Sequence, residues 1–152
     1  MYQSLLVCHS FIRWFVLVSL LYSIYTAYKG YSRKLPFTNK DNLIRHWTST
    51  IAHIQLVLGI LIYVQSPIVK YFWKNFKEAI QNLNDSFFGI IHIALMLIAI
   101  VFITIGSALA KRKLSDDQKF RTMLLWFSVA LLIIFIAIPW PFSSLANRPY
   151  FR

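Results

Sequence analysis

Acidic residues, cysteine and glycine are all scarce in this chain. Its 152 residues include five Asp and Glu, one Cys and four Gly. The single cysteine, Cys8, excludes both an internal disulfide and a cluster of thiolate metal ligands. No acidic residue falls inside the long apolar runs, so a carboxylate proton relay or a di-iron site within them is excluded as well.

Motifs of the common enzyme classes are also missing. The sequence contains no glycine-rich phosphate loop, no CxxCH haem-attachment motif and no HExxH zinc motif. Serines in the apolar runs have no paired Asp–His setting, which argues against a hydrolase. These absences favour an electron-transfer or accessory subunit over a stand-alone enzyme.

Apolar residues dominate the composition. The chain is 58% hydrophobic, 17% aromatic and only 14% charged, which is more apolar surface than a soluble domain of this size can bury. Its net charge of +11 comes from Lys and Arg clustered in the segments between apolar runs. That pattern is typical of membrane topology and anionic lipid headgroups, so we expect a lipid bilayer and no nucleic acid as partner.

Four apolar runs are long enough to cross a bilayer as helices, which takes about 20 residues. Between the second and third runs, apolar residues recur at steps of three and four and predict an amphipathic helix in the interface plane. We expect the first run to be retained, because no positive charge precedes it as in a signal peptide. The prediction is a single membrane domain, 1–152, with spans at about 4–28, 43–65, 87–110 and 122–138 and an interfacial helix at about 68–83.

The predicted fold class is therefore all-α. The chain should be a polytopic membrane protein, an up-down four-transmembrane-helix bundle with one interfacial amphipathic helix. The stretch 29–45 between spans one and two, which runs on to Arg45 at the edge of span two, and the stretch 111–121 between spans three and four carry five Lys or Arg each, against three between spans two and three. The positive-inside bias then predicts that both termini lie outside the cytoplasm.

Histidines provide the main functional clue. All four, His9, His46, His53 and His92, fall in or at the edge of apolar runs. Ionisable residues within membrane spans are costly and mark functional sites. A neutral imidazole is a common axial ligand of haem iron, and four-helix bundles hold cofactors between facing helices.

Depth in the membrane selects among the possible ligand pairs. At 1.5 Å per residue, His9 and His92 lie at comparable depth on different helices, so they are the predicted metal ligands. His53 with His92 is the runner-up if span three begins earlier than 87. His46 and His53 are seven residues apart on one face and cannot both ligate one haem. Either one would instead suit a quinone headgroup, or His46 is simply an interfacial residue.

Two neighbours are compatible with a haem beside the first pair. Gly89 lies one turn before His92 and would leave room for a flat ring, although small residues also serve ordinary helix packing. Arg13 lies one turn after His9, where its guanidinium would meet a haem propionate or would snorkel to the interface.

Three segments carry a resemblance to a known family. HSFIRW, RHWTSTIAHIQLVLGI and IPWPFSSLANRPYFR resemble small bacterial four-span membrane proteins commonly labelled cytochrome b, and the likeness covers nearly the whole chain. The resemblance implies a four-helix bundle with histidine-ligated haem b, to which His9, His46, His53 and His92 are the positions that contribute.

Together these observations predict a membrane b-type cytochrome-like electron carrier that exchanges electrons with a quinol. The alternative is a non-catalytic structural or assembly subunit of a larger inner-membrane complex, in which the histidines contact other membrane-protein subunits.

Overall fold

The computed structural model describes residues 1–143, and this part of the chain contains helices and turns but no strand. Residues 144–152, which include most of the C-terminal motif quoted above, lie outside the described residues. The elements in chain order are α1 (Tyr2–Ser32), α2 (Asn39–Gln65), α3 (Pro67–Lys74), α4 (Phe76–Ala79), α5 (Leu83–Ser86), a π-helical turn (Phe87–Ile91), α6 (His92–Arg112) and α7 (Asp116–Ala137).

Four helical stretches are long and apolar enough to cross a membrane. They are Tyr2–Ser32, Asn39–Gln65, Leu83–Arg112 and Asp116–Ala137, and the third joins α5, the π-helical turn and α6. The prediction of an all-α polytopic membrane protein is confirmed.

The spans pack in the order α1, α2, α6, α7 around the bundle. α1 contacts α2 and α7, while α6 contacts α7 and α2, and the seam between α2 and α6 is the loosest of the four. Short connections place residues 33–38 and 113–115 at the same end, which we call the basic end. The opposite end, where α1 begins and α7 ends, is called the cavity end.

The packed core lies mainly against α7. Leu20 of α1, Ile103 of α6, and Met123 and Phe127 of α7 are fully buried there. Many large apolar side chains instead face outward, such as Leu132 with 64% of its surface exposed. An apolar exterior of this kind is what a lipid environment requires.

Helices α2 and α7 begin earlier than their hydropathy predicts because polar caps start them. Thr38 caps α2 through a capping box, in which the Thr38 backbone N–H donates to Asp41 Oδ2 at 2.9 Å. Ser115 caps α7 by accepting from the backbone N–H of Gln118 at 3.3 Å. The first turns of α2 and α7 are therefore helical although their residues are polar.

The segment predicted as one interfacial helix consists of two helices, α3 and α4. Asn75 interrupts the helical backbone between them, with φ −121° and ψ 45°. Its side chain donates to the carbonyl of Tyr71 at 3.3 Å, the same carbonyl that accepts from the Asn75 backbone N–H at 2.9 Å. Asn82 then caps α5, so the third span begins at Leu83 rather than at 87.

Polar contacts fasten α2 to its neighbours toward the basic end. Ser23 and Thr48 share a buried hydrogen bond of 2.7 Å between α1 and α2. Arg45, also buried, donates to the Ser107 carbonyl of α6 at 3.1 Å and to Asn42 Oδ1 at 2.8 Å. These bonds close the basic half of the bundle.

Candidate functional site: a histidine-lined cavity

A cavity lies at the cavity end, between all four spans and the start of α3. Its cavity volume is about 180 Å³, which is below the roughly 300–1,000 Å³ of ordinary ligand pockets. Within residues 1–143 its lining contains no acidic side chain. The lining is mostly apolar, and its polar members are Tyr2, His9, Ser10, Arg13, Gln55, Tyr63, Ser66 and His92.

The structure brings His9 and His92 to this one cavity. They come from α1 and α6, which are not neighbours in the bundle, and both line its wall. Depth along the two helices was sufficient to select this pair from the sequence. Their ligation of a haem remains a prediction.

The imidazole of His92 is held in one orientation. Its Nδ1 atom lies 2.7 Å from the carbonyl oxygen of Ala137, at the end of α7. A carbonyl oxygen only accepts, so Nδ1 carries the proton and the lone pair belongs to Nε2. The same arrangement, with one ring nitrogen bonded to a carbonyl and the other free to bind, is typical of metal-ligating histidines.

The π-helical turn leads directly into His92. The His92 backbone N–H bonds the carbonyl of Phe87, five residues earlier, and the Phe87 ring lies 5.7 Å from the imidazole centroid. Single π turns inside α-helices occur frequently at functional sites. The hydropathy pattern carries no signal for this turn.

His9 sits against a glycine of α2. A Cβ atom built on Gly59 would lie 3.3 Å from His9 Cε1, so the imidazole occupies the space that a side chain would otherwise fill. His9 Nδ1 is buried and has no hydrogen-bond partner among the described residues. The ring therefore keeps an unsatisfied nitrogen beside the cavity.

Gln55 supports the same part of α1. Its side-chain nitrogen donates to the His9 carbonyl at 2.9 Å, and its Oε1 atom is buried without a partner in the described part of the chain. The sequence interpretation missed Gln55 and Gly59. Their signal was a small and polar stripe at helical spacing on α2, formed by Ala52, Gln55 and Gly59.

Arg13 lines the cavity next to the two histidines. Its guanidinium carbon lies 5.5 Å from the ring centroid of Trp14. The position is compatible with the predicted contact to an anionic group, which remains a prediction.

Gly89 lies outside the cavity lining. A Cβ on this residue would collide with the ring of Phe72, which packs against it from α3. The Gly89 carbonyl accepts from the hydroxyl of Tyr63 at 2.7 Å, and Trp73 Nε1 donates to that hydroxyl at 2.9 Å. Protein atoms fill the space beside Gly89, so this glycine serves helix packing, the second of the two roles considered for it.

His53 and His46 point away from the cavity. The third span does begin early, yet His53 lies beside Thr104 of α6, with 3.1 Å between His53 Nε2 and the hydroxyl, and not beside His92. The runner-up pair is thus not brought together. His46 is exposed, and its ring lies 6.0 Å from that of Trp47.

The donor set decides which cofactors the cavity suits. Among residues 1–143 there is no group of three or more His, Cys, Asp or Glu that could hold a metal ion. A haem needs only one or two axial imidazoles and an apolar pocket. Two imidazoles from opposite helices, an apolar lining and one guanidinium fit that group.

Comparisons with family models, with curated proteins and with solved structures find no match to this chain.

Proposed function

We propose that this protein is a membrane electron carrier that binds a b-type haem through His9 and His92 and exchanges electrons with a quinol. One observation carries the proposal. The two imidazoles come from non-adjacent helices, yet both line a single, mostly apolar cavity that holds no acidic side chain within the described residues.

His92 and His9 would have different roles in holding the cofactor. His92 offers Nε2, because its bond to Ala137 fixes the ring and the tautomer. His9 would approach from the opposite side of the cavity, with its ring seated on Gly59. A bound haem would supply a one-electron couple at its iron, tuned by the ligands and the dry surroundings.

Arg13 would supply the charge that a haem needs at its polar edge. A guanidinium binds carboxylates through paired hydrogen bonds, and Arg13 is part of the cavity lining. The apolar lining residues, among them Leu56, Ile93 and Met96, would exclude water from the ring.

We further propose that the protein resides in a bacterial inner membrane with its basic end in the cytoplasm. Counted with the adjoining helix ends, residues 29–45 and 111–121 at that end carry five Lys or Arg each, against three in residues 66–82 at the cavity end, and the positive-inside bias favours this orientation. The cavity would then open toward the side away from the cytoplasm.

The test is the reduced-minus-oxidised absorption spectrum of the purified protein, together with a pyridine haemochrome assay. We expect a b-type spectrum that is lost in His9→Ala and in His92→Ala. His46→Ala and His53→Ala are the matched controls and should keep the spectrum, because neither side chain lines the cavity.

Two results would contradict the proposal. Persistence of the spectrum in both the His9 and the His92 variants would exclude this ligand pair. A colourless wild-type protein that co-purifies with a stoichiometric membrane partner would support the structural-subunit alternative.

A further inference from the structure

His53 occupies an unusual position for an ionisable residue. It lies near the middle of α2 (Asn39–Gln65), and its side chain is exposed on the outer surface of the bundle. Ionisable residues at membrane depth almost always face a protein interior, a cavity or a ligand. For an imidazole that faces outward at this depth we therefore expect a bound ligand.

The hydrogen bonds of His53 leave one ring nitrogen exchangeable. Nδ1 lies 2.7 Å from the carbonyl of Ser49 and must donate to it, so the lone pair is on Nε2. Nε2 faces the hydroxyl of Thr104 at 3.1 Å. The contact with Ser49 lies within α2, and only the contact with Thr104 joins α2 to α6.

Thr104 has a second acceptor for its single hydroxyl proton. The carbonyl of Ile100 lies 2.7 Å from Thr104 Oγ1, closer than His53 Nε2 does. A hydroxyl donates one hydrogen bond only, so Thr104 remains satisfied when it bonds Ile100 alone. A ligand hydroxyl can then donate a hydrogen bond to His53 Nε2, and no donor of the protein loses its partner.

The surroundings define the class of ligand. Val57 on α2 and Val101 on α6 lie one turn from the pair and expose 56% and 51% of their surfaces. His53 is 12 residues from the nearer end of α2, or roughly 18 Å along the helix at 1.5 Å per residue. Phospholipid headgroups stay at the membrane surface, so the fitting ligand is a ring that carries a hydroxyl into the hydrocarbon.

We infer that His53 is the hydroxyl acceptor of a binding site for a lipid-soluble quinol on the α2–α6 surface, and that Thr104 holds Nε2 until the ligand displaces it. The inference that a quinol bound here delivers electrons to a haem rests on the proposed function. The site shares a wall with the cavity, because Ala52, next to His53, and Ile100, the partner of Thr104, both line it. The quinol ring would thus lie one helix wall from the two imidazoles.

The experiment uses the full chain in lipid nanodiscs and a quinol analogue, 2-heptyl-4-hydroxyquinoline N-oxide, whose fluorescence is followed in a titration. We expect saturable binding to the wild type, and a Kd raised about tenfold in His53→Leu, the value of one hydrogen bond. Thr104→Val should bind the analogue as tightly as the wild type or more tightly, because the competing hydroxyl is gone. His46→Leu is the matched control on the same helix and should leave the Kd unchanged.

Several outcomes overturn the inference. These are no binding to the wild type or an unchanged Kd in His53→Leu. Loss of binding in Thr104→Val also overturns it, because the contact between His53 and Thr104 would then serve only to hold α2 against α6. Loss of binding in His9→Ala with retention in His53→Leu would move the site into the cavity. If His53→Leu fails to fold, the Thr104→Val result decides alone.

Haem content is measured on the same samples to separate the two proposals. Quinol-analogue binding to a haem-free wild-type protein would contradict the proposed function and leave the His53 site standing. A haem-containing protein that does not bind the analogue would overturn the His53 site alone.

Discussion

His92 Nδ1 lies 2.7 Å from the carbonyl oxygen of Ala137, so a side chain at the start of α6 satisfies a backbone group at the end of α7. The last carbonyls of a helix have no partner within it and must find one elsewhere. In a membrane span no water is at hand to replace a lost partner. The residue proposed as a haem ligand therefore also completes a neighbouring helix.

This double role predicts that His92→Leu destabilises the protein even without haem. The Ala137 carbonyl would lose its donor, at a cost of about 1–3 kcal/mol. His92→Gln should recover part of the loss, because an amide N–H can still donate. Thermal unfolding of the haem-free protein in detergent measures both variants, and equal stability of His92→Leu and the wild type would contradict the role.

Substitutions at Gly59 should act on His9 in proportion to their size. An alanine Cβ would lie 3.3 Å from His9 Cε1, so a displacement of a few tenths of an ångström suffices. We expect Gly59→Ala to keep the haem with a slightly shifted spectrum. Gly59→Val should lower haem affinity roughly tenfold or more, as overpacking of about 1–3 kcal/mol implies. A haem content equal to wild type in the valine variant would show that His9 is not held by this contact.

Tyr63 is expected to tether the α3 segment to the bundle. Its hydroxyl accepts from Trp73 and donates to the Gly89 carbonyl, so Tyr63→Phe breaks both bonds. We expect faster hydrogen exchange of the α3 backbone and a stability loss of about 1 kcal/mol. Tyr71→Phe is the control, because the Tyr71 hydroxyl has no hydrogen-bond partner in the described structure and the side chain is 43% exposed. Equal exchange in the two variants would argue against the tether.

Two glycines at helix contacts should respond differently to alanine. A Cβ on Gly106 would collide with Cβ of Trp126 and lie 2.9 Å from its Cγ, atoms fixed to the α7 backbone. Gly106→Ala must separate α6 from α7 and should cost about 1–3 kcal/mol. On Gly30 the collision is with the far end of the Phe120 ring, which can rotate, so Gly30→Ala should cost less.

A second substitution checks the explanation for Gly106. Trp126→Ala retains the colliding Cβ, so it should not rescue Gly106→Ala. Phe120→Leu removes the ring that Gly30→Ala would meet and should restore that variant. The thermal unfolding midpoints of the two single variants, Gly106→Ala and Gly30→Ala, are compared with those of the two corresponding double variants. Rescue of Gly106→Ala by Trp126→Ala would refute the proposed contact.

The fold was largely predictable because each span is encoded locally. A run of about 20 apolar residues specifies a crossing helix whatever its neighbours are. The early starts of α2 and α7 were missed because hydropathy does not register polar capped turns at Thr38 and Ser115. The break at Asn75 was missed because the apolar residues keep a helical spacing on both sides of it, so the hydropathy pattern does not register the non-helical backbone of this one residue.

Only the depth of the candidate site in the membrane could be predicted from the sequence. Position along a helix placed His9 and His92 at one level, and the structure puts both in one cavity. Which side of a helix meets which neighbour depends on packing between spans distant in sequence. For that reason the roles of Gly59, Gln55 and Thr104 were not foreseen, and Gly89 proved to contact Phe72.

The π-helical turn at Phe87–Ile91 changes the phase of the third span. One additional residue in a turn rotates everything after it by about 100° relative to an uninterrupted α-helix. The short segment before the turn can thus lie against α3 while His92 faces inward from the same continuous helix. Deleting Ile90 would restore a regular winding, and the imidazole would then swing away from its neighbours even though no residue that touches them had been altered.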